Sequence, residues 1–114
     1  TYTRINYPDV YEKVPVMPDF PEGQQALMEF LAKKIQYPNT GTEGNGVQGR
    51  TIIQFIVDKE GNIVKPKVLR GVDPYLDKEA LRVVGLMPKW KPGELEDGTK
   101  VAVYFTVPVM FRLQ

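Results

Sequence analysis

The cleanest alternation in the chain lies near its end, where Val101, Val103, Phe105, Val107, Val109 and Phe111 interleave with Ala102, Tyr104, Thr106, Pro108, Met110 and Arg112. A period of two sets these on opposite faces of one long strand, one face core and the other wetter. Arg50 to Asp58 (RTIIQFIVD) is equally apolar, but it sends Ile53, Phe55 and Val57 to one face and Ile52 and Ile56 to the other. That predicts a central strand covered on much of both sides. Lys59-Glu60-Gly61-Asn62 is a hairpin connection with a glycine available for positive φ, and Ile63 to Arg70 returns beside the first strand. Pro66 has no amide hydrogen for a ladder, so the returning strand belongs at an edge.

Elsewhere the period lengthens to three and four. Within Gln24 to Gln36, the residues Leu27, Phe30, Leu31 and Ile35 predict an amphipathic helix, stopped by Tyr37-Pro38. A second helix opens at DPYLD, with Asp77 read as its N-cap and Glu79 in the first turn. Its stripe is Ala80, Leu81, Val84 and Met87, and Pro88 ends it. Before the first helix, Pro8, Pro15, Pro18 and Pro21 interrupt a stretch that also holds Val10, Val14, Val16, Met17 and Phe20. This predicts an extended arm with one short strand near Val10 to Val14. The glycine-rich Asn39 to Gly46 (NTGTEGNG) reads as a mobile loop.

These elements predict an extended Pro-rich lead-in arm over 1–21 and a domain over 22–114. The expected fold class is α+β, two helices packed on one face of a three-stranded antiparallel sheet, with Arg50 to Asp58 in the middle. At 114 residues, 42% of them hydrophobic and 11% aromatic, the chain has enough apolar side chain for one core. No run of 18 apolar residues occurs, and the chain starts at Thr1 with a polar segment, so it reads as a soluble piece of something longer.

Charge and residue usage narrow the chemistry. Fifteen Lys and Arg against 14 Asp and Glu leave no broad positive field for nucleic acid or anionic lipid. With no cysteine, histidine or serine, the chain lacks disulfides, Cys/His metal sites, thiol nucleophiles and imidazole-based triads. No catalysis, cofactor or structural metal is expected. The acidic groups Asp73 with Asp77, and Glu94, Glu96 and Asp97, match no calcium or nuclease spacing and read as turn carboxylates. Gly41, Gly44, Gly46 and Gly49 lead into a strand rather than a helix, which excludes a phosphate cradle. Lys89-Trp90-Lys91 has one aromatic, too few for a single-strand stacking platform, so Trp90 is expected to anchor the core. A ferredoxin-like nucleic-acid-binding module is the lowest-ranked alternative: counting the arm as a strand gives its element order, but NIVKPKVLRG lacks the stacking aromatics.

The last strand leaves a second kind of candidate. A long edge strand offers unpaired N–H and C=O groups, and either the arm covers it or a partner adds a strand there. Pro108 marks the parity: absent a bulge, Ala102, Tyr104 and Thr106 offer backbone groups outward while Val103, Phe105 and Val107 bond to the central strand.

The blocks Tyr37-Pro38, Gly46-Val47-Gln48-Gly49-Arg50, Asp58-Lys59-Glu60-Gly61-Asn62-Ile63, Leu76-Asp77-Lys78-Glu79-Ala80-Leu81, Met87-Pro88-Lys89-Trp90-Lys91-Pro92-Gly93 and Phe105-Thr106-Val107-Pro108-Val109-Met110-Phe111-Arg112-Leu113 closely resemble the C-terminal domain of TonB. MPDFPEGQQALMEFL is similar to the form common in Bacteroidetes, and the resemblance runs from about Val14 to the end. It implies a periplasmic domain tethered to an inner-membrane helix that works with ExbB and ExbD. It also implies transfer of proton-motive energy to outer-membrane transporters, whose TonB box adds as a strand along Val101 to Val109. Lys34 and Gln36 are then expected beside the transporter plug, while Trp90, Pro92 and Gly93 are structural. A membrane is reached only through an N-terminal anchor outside this chain, and both a monomer and a strand-exchanged dimer remain open. The alternative parent is an inner-membrane sensor or peptidase-like protein carrying the same module. NTGTEGNG departs from the helical, Ala/Lys-containing stretch usual in the family.

Overall fold

The computed structural model describes residues 3–4, 10–36 and 49–111. Its frame is the pair predicted to be most apolar, β3 (Gly49–Val57) and β6 (Lys100–Phe111), antiparallel from Gly49↔Phe111 to Val57↔Val103 without a register shift. Unbroken register puts Thr51, Ile53, Phe55 and Val57 on one face with Val103, Phe105, Val107 and Val109. Helices α1 (Gln24–Lys34) and α2 (Pro74–Val84) close over that face with Leu27, Leu31, Leu76, Ala80, Val83 and Val84. Strand β4 (Ile63–Arg70) pairs with the other side of β3, and its register shifts between Gln54 and Ile56. Lys65 there adopts a φ of 52°, so the strand bulges where Pro66 has no amide to give. It is an edge strand, as Pro66 requires.

The helices sit differently from their expected limits. Asp73 caps α2, its Oδ1 accepting the Tyr75 N–H at 2.9 Å, so Asp77 lies in the first turn instead. The Asp77 Oδ1 accepts from the buried Thr51 hydroxyl and from the Val72 N–H, both at 2.9 Å, tying the helix start to β3. The last helical residue is Val84, with Gly85 as cap, rather than Met87. Pro88 bars only Met87 from the α region; Gly85, a weak helix former, ends the helix earlier, and Leu86 and Met87 donate to the Val83 and Val84 carbonyls in a tighter turn. Helix α1 ends at Lys34; Tyr37-Pro38, the loop from Asn39 to Gly46 and Arg112-Leu113 lie outside the described residues.

The sheet is larger than three strands and is mixed. Its order is β1-β2-β6-β3-β4, with β1 at Thr3–Arg4, β2 at Val10–Lys13 and a short β5 at Gly93–Glu94 that also pairs with β6. Strand β2 runs parallel to β6. The middle of this path is therefore β6, although β3 is central among the three antiparallel strands. The short strand expected near Val10 to Val14 is β2, but the four prolines of the lead-in, Pro8, Pro15, Pro18 and Pro21, suggested an arm outside the sheet. Val10, Val14 and Phe20 are in fact buried, which an unpaired surface arm would not achieve.

Trp90 fixes where that segment lies. The indole is 3% exposed and stands edge-on to Phe20, Phe55 and Phe105, with centroid distances of 5.8, 5.3 and 4.9 Å. The Trp90 backbone N–H donates to the Gly61 carbonyl at 2.9 Å, and a Cβ on Gly61 would strike the Trp90 carbonyl oxygen. Gly61 also holds a φ of 89°, so the turn needs glycine on both counts. Beyond it, Lys91 and Asp19 exchange backbone hydrogen bonds of 2.8 and 3.0 Å, as do Glu94 and Val16 at 2.9 and 3.2 Å. A Cβ on Gly93 would lie 2.6 Å from Val103, so this glycine lets the zipped segment approach β6.

The ends of the helices are clamped together by Glu79. Its carboxylate accepts from Arg82 Nε and Nη2, each at 2.7 Å, and from the Gln36 N–H at 2.7 Å, while Arg82 Nη2 also reaches the Lys34 carbonyl at 3.2 Å. Arg82, and then the Gln36 amide, hold the Glu79 pKa below its usual value.

Trp90→Ala is expected to cost about 3–5 kcal/mol in chemical denaturation. Trp90→Phe should cost less than that, because the indole Nε1–H is buried with no acceptor among the described residues and its removal relieves an unmet donor. At neutral pH Glu79→Gln should lose about 1 kcal/mol, a value kept low by the exposure of Arg82. A carboxyl with a lowered folded pKa stabilises above its unfolded pKa and loses this on acidification, so the gap between parent and variant should close as pH falls below about 4. A gap that does not narrow at all on acidification would assign the loss to packing.

Candidate functional site

Three partners share β6 unequally. Strand β3 follows it from Val103 to Phe111, β5 pairs with Lys100 and Val101, and β2 lies beside Ala102 and Val103. From Tyr104 to Phe111, β3 is the one strand paired with β6 among the described residues. The question of whether the N-terminal segment covers this edge thus has a divided answer among the described residues: β2 covers the beginning and does not extend along the rest. Ala102, expected to face outward to a peptide, faces β2 here, because Val10 gains burial by pairing with it.

Pro108 stands opposite Ile52 in the uninterrupted ladder. Proline fits without loss where its missing N–H points away from the neighbour, so the N–H and C=O groups of Tyr104, Thr106 and Met110 share the outward parity. Phe105, Val107 and Val109 have the inward parity and carry their side chains toward the helices. Val103, Val107 and Val109 are buried, Val101, Tyr104 and Phe105 partly so, and Thr106 is exposed.

A groove accompanies the open stretch. One cavity of about 380 Å³ lies between Phe105–Pro108 of β6, Met17–Asp19 and the α1 residues Gln24, Leu27 and Met28. A second, of about 310 Å³, continues past Pro108 to Met110 beneath Met28, Leu31 and Ala32. Sequence reasoning found the strand but not these walls. Met17 and Met28 are the missed signal: methionines are flexible and polarizable, and they recur on surfaces that accommodate varied apolar partners.

Lys34 and Gln36 lie apart from this edge, at the end of α1. Their backbones are held by Arg82 and Glu79, and their side chains are exposed. The Lys34 ammonium lies 6.0 Å from the centroid of the Phe30 ring. Trp90, Pro92 and Gly93 sit in the segment that is zipped to residues 16–19. The acidic candidates serve local structure: Asp73 and Asp77 anchor α2, Glu94 meets Lys100 at 3.4 Å, and Asp97 is held below the usual carboxylate range by hydrogen bonds from Thr99. No group of three or more such side chains is placed to hold a metal ion among the described residues. What the β6 edge offers is backbone donors and acceptors beside an apolar groove.

The family model of the Gram-negative bacterial TonB protein C-terminal matches residues 33–113. Among solved structures, the chain is similar to the solution structure of Helicobacter pylori TonB-CTD, residues 194–285, with a TM-score of 0.57, 20% identity and coverage of 79% of this chain and 92% of that one. A longer form of the same domain, residues 179–285, matches with a TM-score of 0.57 and 19% identity, covering 79% of each chain. At such identity the likeness is one of fold. No curated protein matches. Since the family match takes in α2, the Trp90 segment and nearly all of the paired sheet, the chain belongs to the TonB C-terminal domain family.

Proposed function

We propose that this domain receives the TonB box of outer-membrane transporters as an added strand on β6, and so passes on proton-motive energy from an inner-membrane complex with ExbB and ExbD. Its place is the periplasm, tethered to the inner membrane by a part of the protein outside this chain. The observation that carries the reading is the coincidence of a strand stretch from Tyr104 to Met110, unpaired on its outer edge among the described residues, with an apolar groove along α1. An added strand supplies backbone partners to the edge and buries alternate side chains in the groove.

The length of the open stretch sets the affinity. Tyr104, Thr106 and Met110 each offer an N–H and a C=O, and Pro108 a C=O; a short added strand that engages about five of these groups gains about 0.5–1.5 kcal/mol net from each. Association costs about 4 kcal/mol or more. A short peptide should therefore bind at about micromolar affinity or weaker, which suits a contact that must release after each transport cycle.

Thr106→Pro is expected to abolish binding of a TonB-box peptide in calorimetry while leaving a cooperative melt, because it removes an outward N–H. Phe105→Pro, opposite Phe55 in the ladder, should unfold the domain. Undiminished peptide binding by Thr106→Pro would place the contact elsewhere.

A further inference from the structure

The face of the sheet turned away from the helices carries a charge pattern that the strand edge does not explain. Arg50 of β3 stands beside Met110, Ile52 lies between Pro108 and Arg70, and Gln54 lies between Thr106 and Lys67. Arg50, Lys67 and Arg70 are exposed, and none makes an ion pair or side-chain hydrogen bond among the described residues. No carboxylate from β3, β4 or β6 shares this face. Asp58, next in parity beyond β3, is consumed by the Glu60 and Asn62 amides in the turn, and Glu12 of β2 is separated from the cations by β6.

In a chain of 15 cations and 14 anions this is segregation rather than excess. Neighbouring strand positions are about 5 Å apart across the ladder and about 7 Å apart along a strand, so the three cations repel one another. We propose that this face is a second contact surface for the partner held at β6, and that it takes a carboxylate-bearing polypeptide segment flanking the added strand. The identity of the partner rests on the strand-addition reading; the chemistry of the face does not. Thr106, Pro108 and Met110 belong to both surfaces, so a chain leaving the β6 edge past Met110 meets Arg50 and then Arg70. Arginine suits carboxylates through its two-pronged donors, and arginine and methionine among apolar positions are typical of protein interfaces. Three cations are too few for a nucleic-acid track.

The test compares three peptides on the intact chain: a neutral TonB-box peptide, and the same peptide extended by three glutamates at its N-terminus or at its C-terminus. One extension should tighten binding about tenfold at low salt. That gain should vanish at 0.5 M salt and in the triple variant Arg50→Gln, Lys67→Gln, Arg70→Gln, whose melt and neutral-peptide affinity stay unchanged. Absence of gain with either extension, or a gain that survives in the variant, overturns the proposal. If the neutral peptide does not bind, strand addition fails, and the face is then read alone by NMR titration with hexaglutamate. Shifts confined to Arg50, Lys67 and Arg70 would sustain it, and their absence would sink it. Binding of anionic lipid vesicles but not hexaglutamate at these residues would also overturn it.

Discussion

The seat of Trp90 is the constraint from which the rest of the arrangement follows. Its ring is edge-on to one aromatic from the N-terminal segment, one from β3 and one from β6, and so joins three parts of the chain that no single strand ladder connects. Aromatic pairs of this geometry contribute about 0.5–1.5 kcal/mol each beyond the area they bury. That sum outweighs the indole N–H left without an acceptor. With the ring fixed, its backbone is pinned to Gly61, and the residues that follow can only run where Val16 to Asp19 meet them.

From that path comes the division of the β6 edge. The N-terminal segment has to reach Phe20 beside Trp90, so it leaves β6 after only Val10 and Tyr11 have paired with it. Beyond this point α1 takes over the neighbourhood, leaving a groove where another strand would lie. An open edge invites association of any extended chain. Here the invitation is narrowed by Pro108, which withholds one donor, by β2, which blocks one end, and by α1, which walls one side.

Much of this was legible in the sequence, and the failures have physical causes. The period-two and period-three patterns placed both helices and the three antiparallel strands, because burial on one face is a local property of residue order. Pro66 placed β4 at an edge for the same local reason. The parallel pairing of β2 was not legible: two paired residues carry no periodicity, and their burial depends on a tryptophan some eighty positions away in the chain. Asp77 was misread as a cap because Asp, Pro and Asp in DPYLD offer two capping positions and only the fold decides between them. The open strand could be read from its length and proline, whereas the groove required knowing that α1 lies beside β6.

On the proposed reading, the same geometry determines what yields under load. Tension carried along an added strand shears its backbone bonds together, and the next ladder inward is the β3–β6 pair. That pair runs over nine matched residues and has Phe55, Val107 and Val109 buried beneath it, against about five bonds at the outer edge. The weaker of two ladders in series gives way first. The peptide therefore detaches before β6 is stripped from β3, and the domain survives repeated pulling because its binding strand is also its most deeply anchored one.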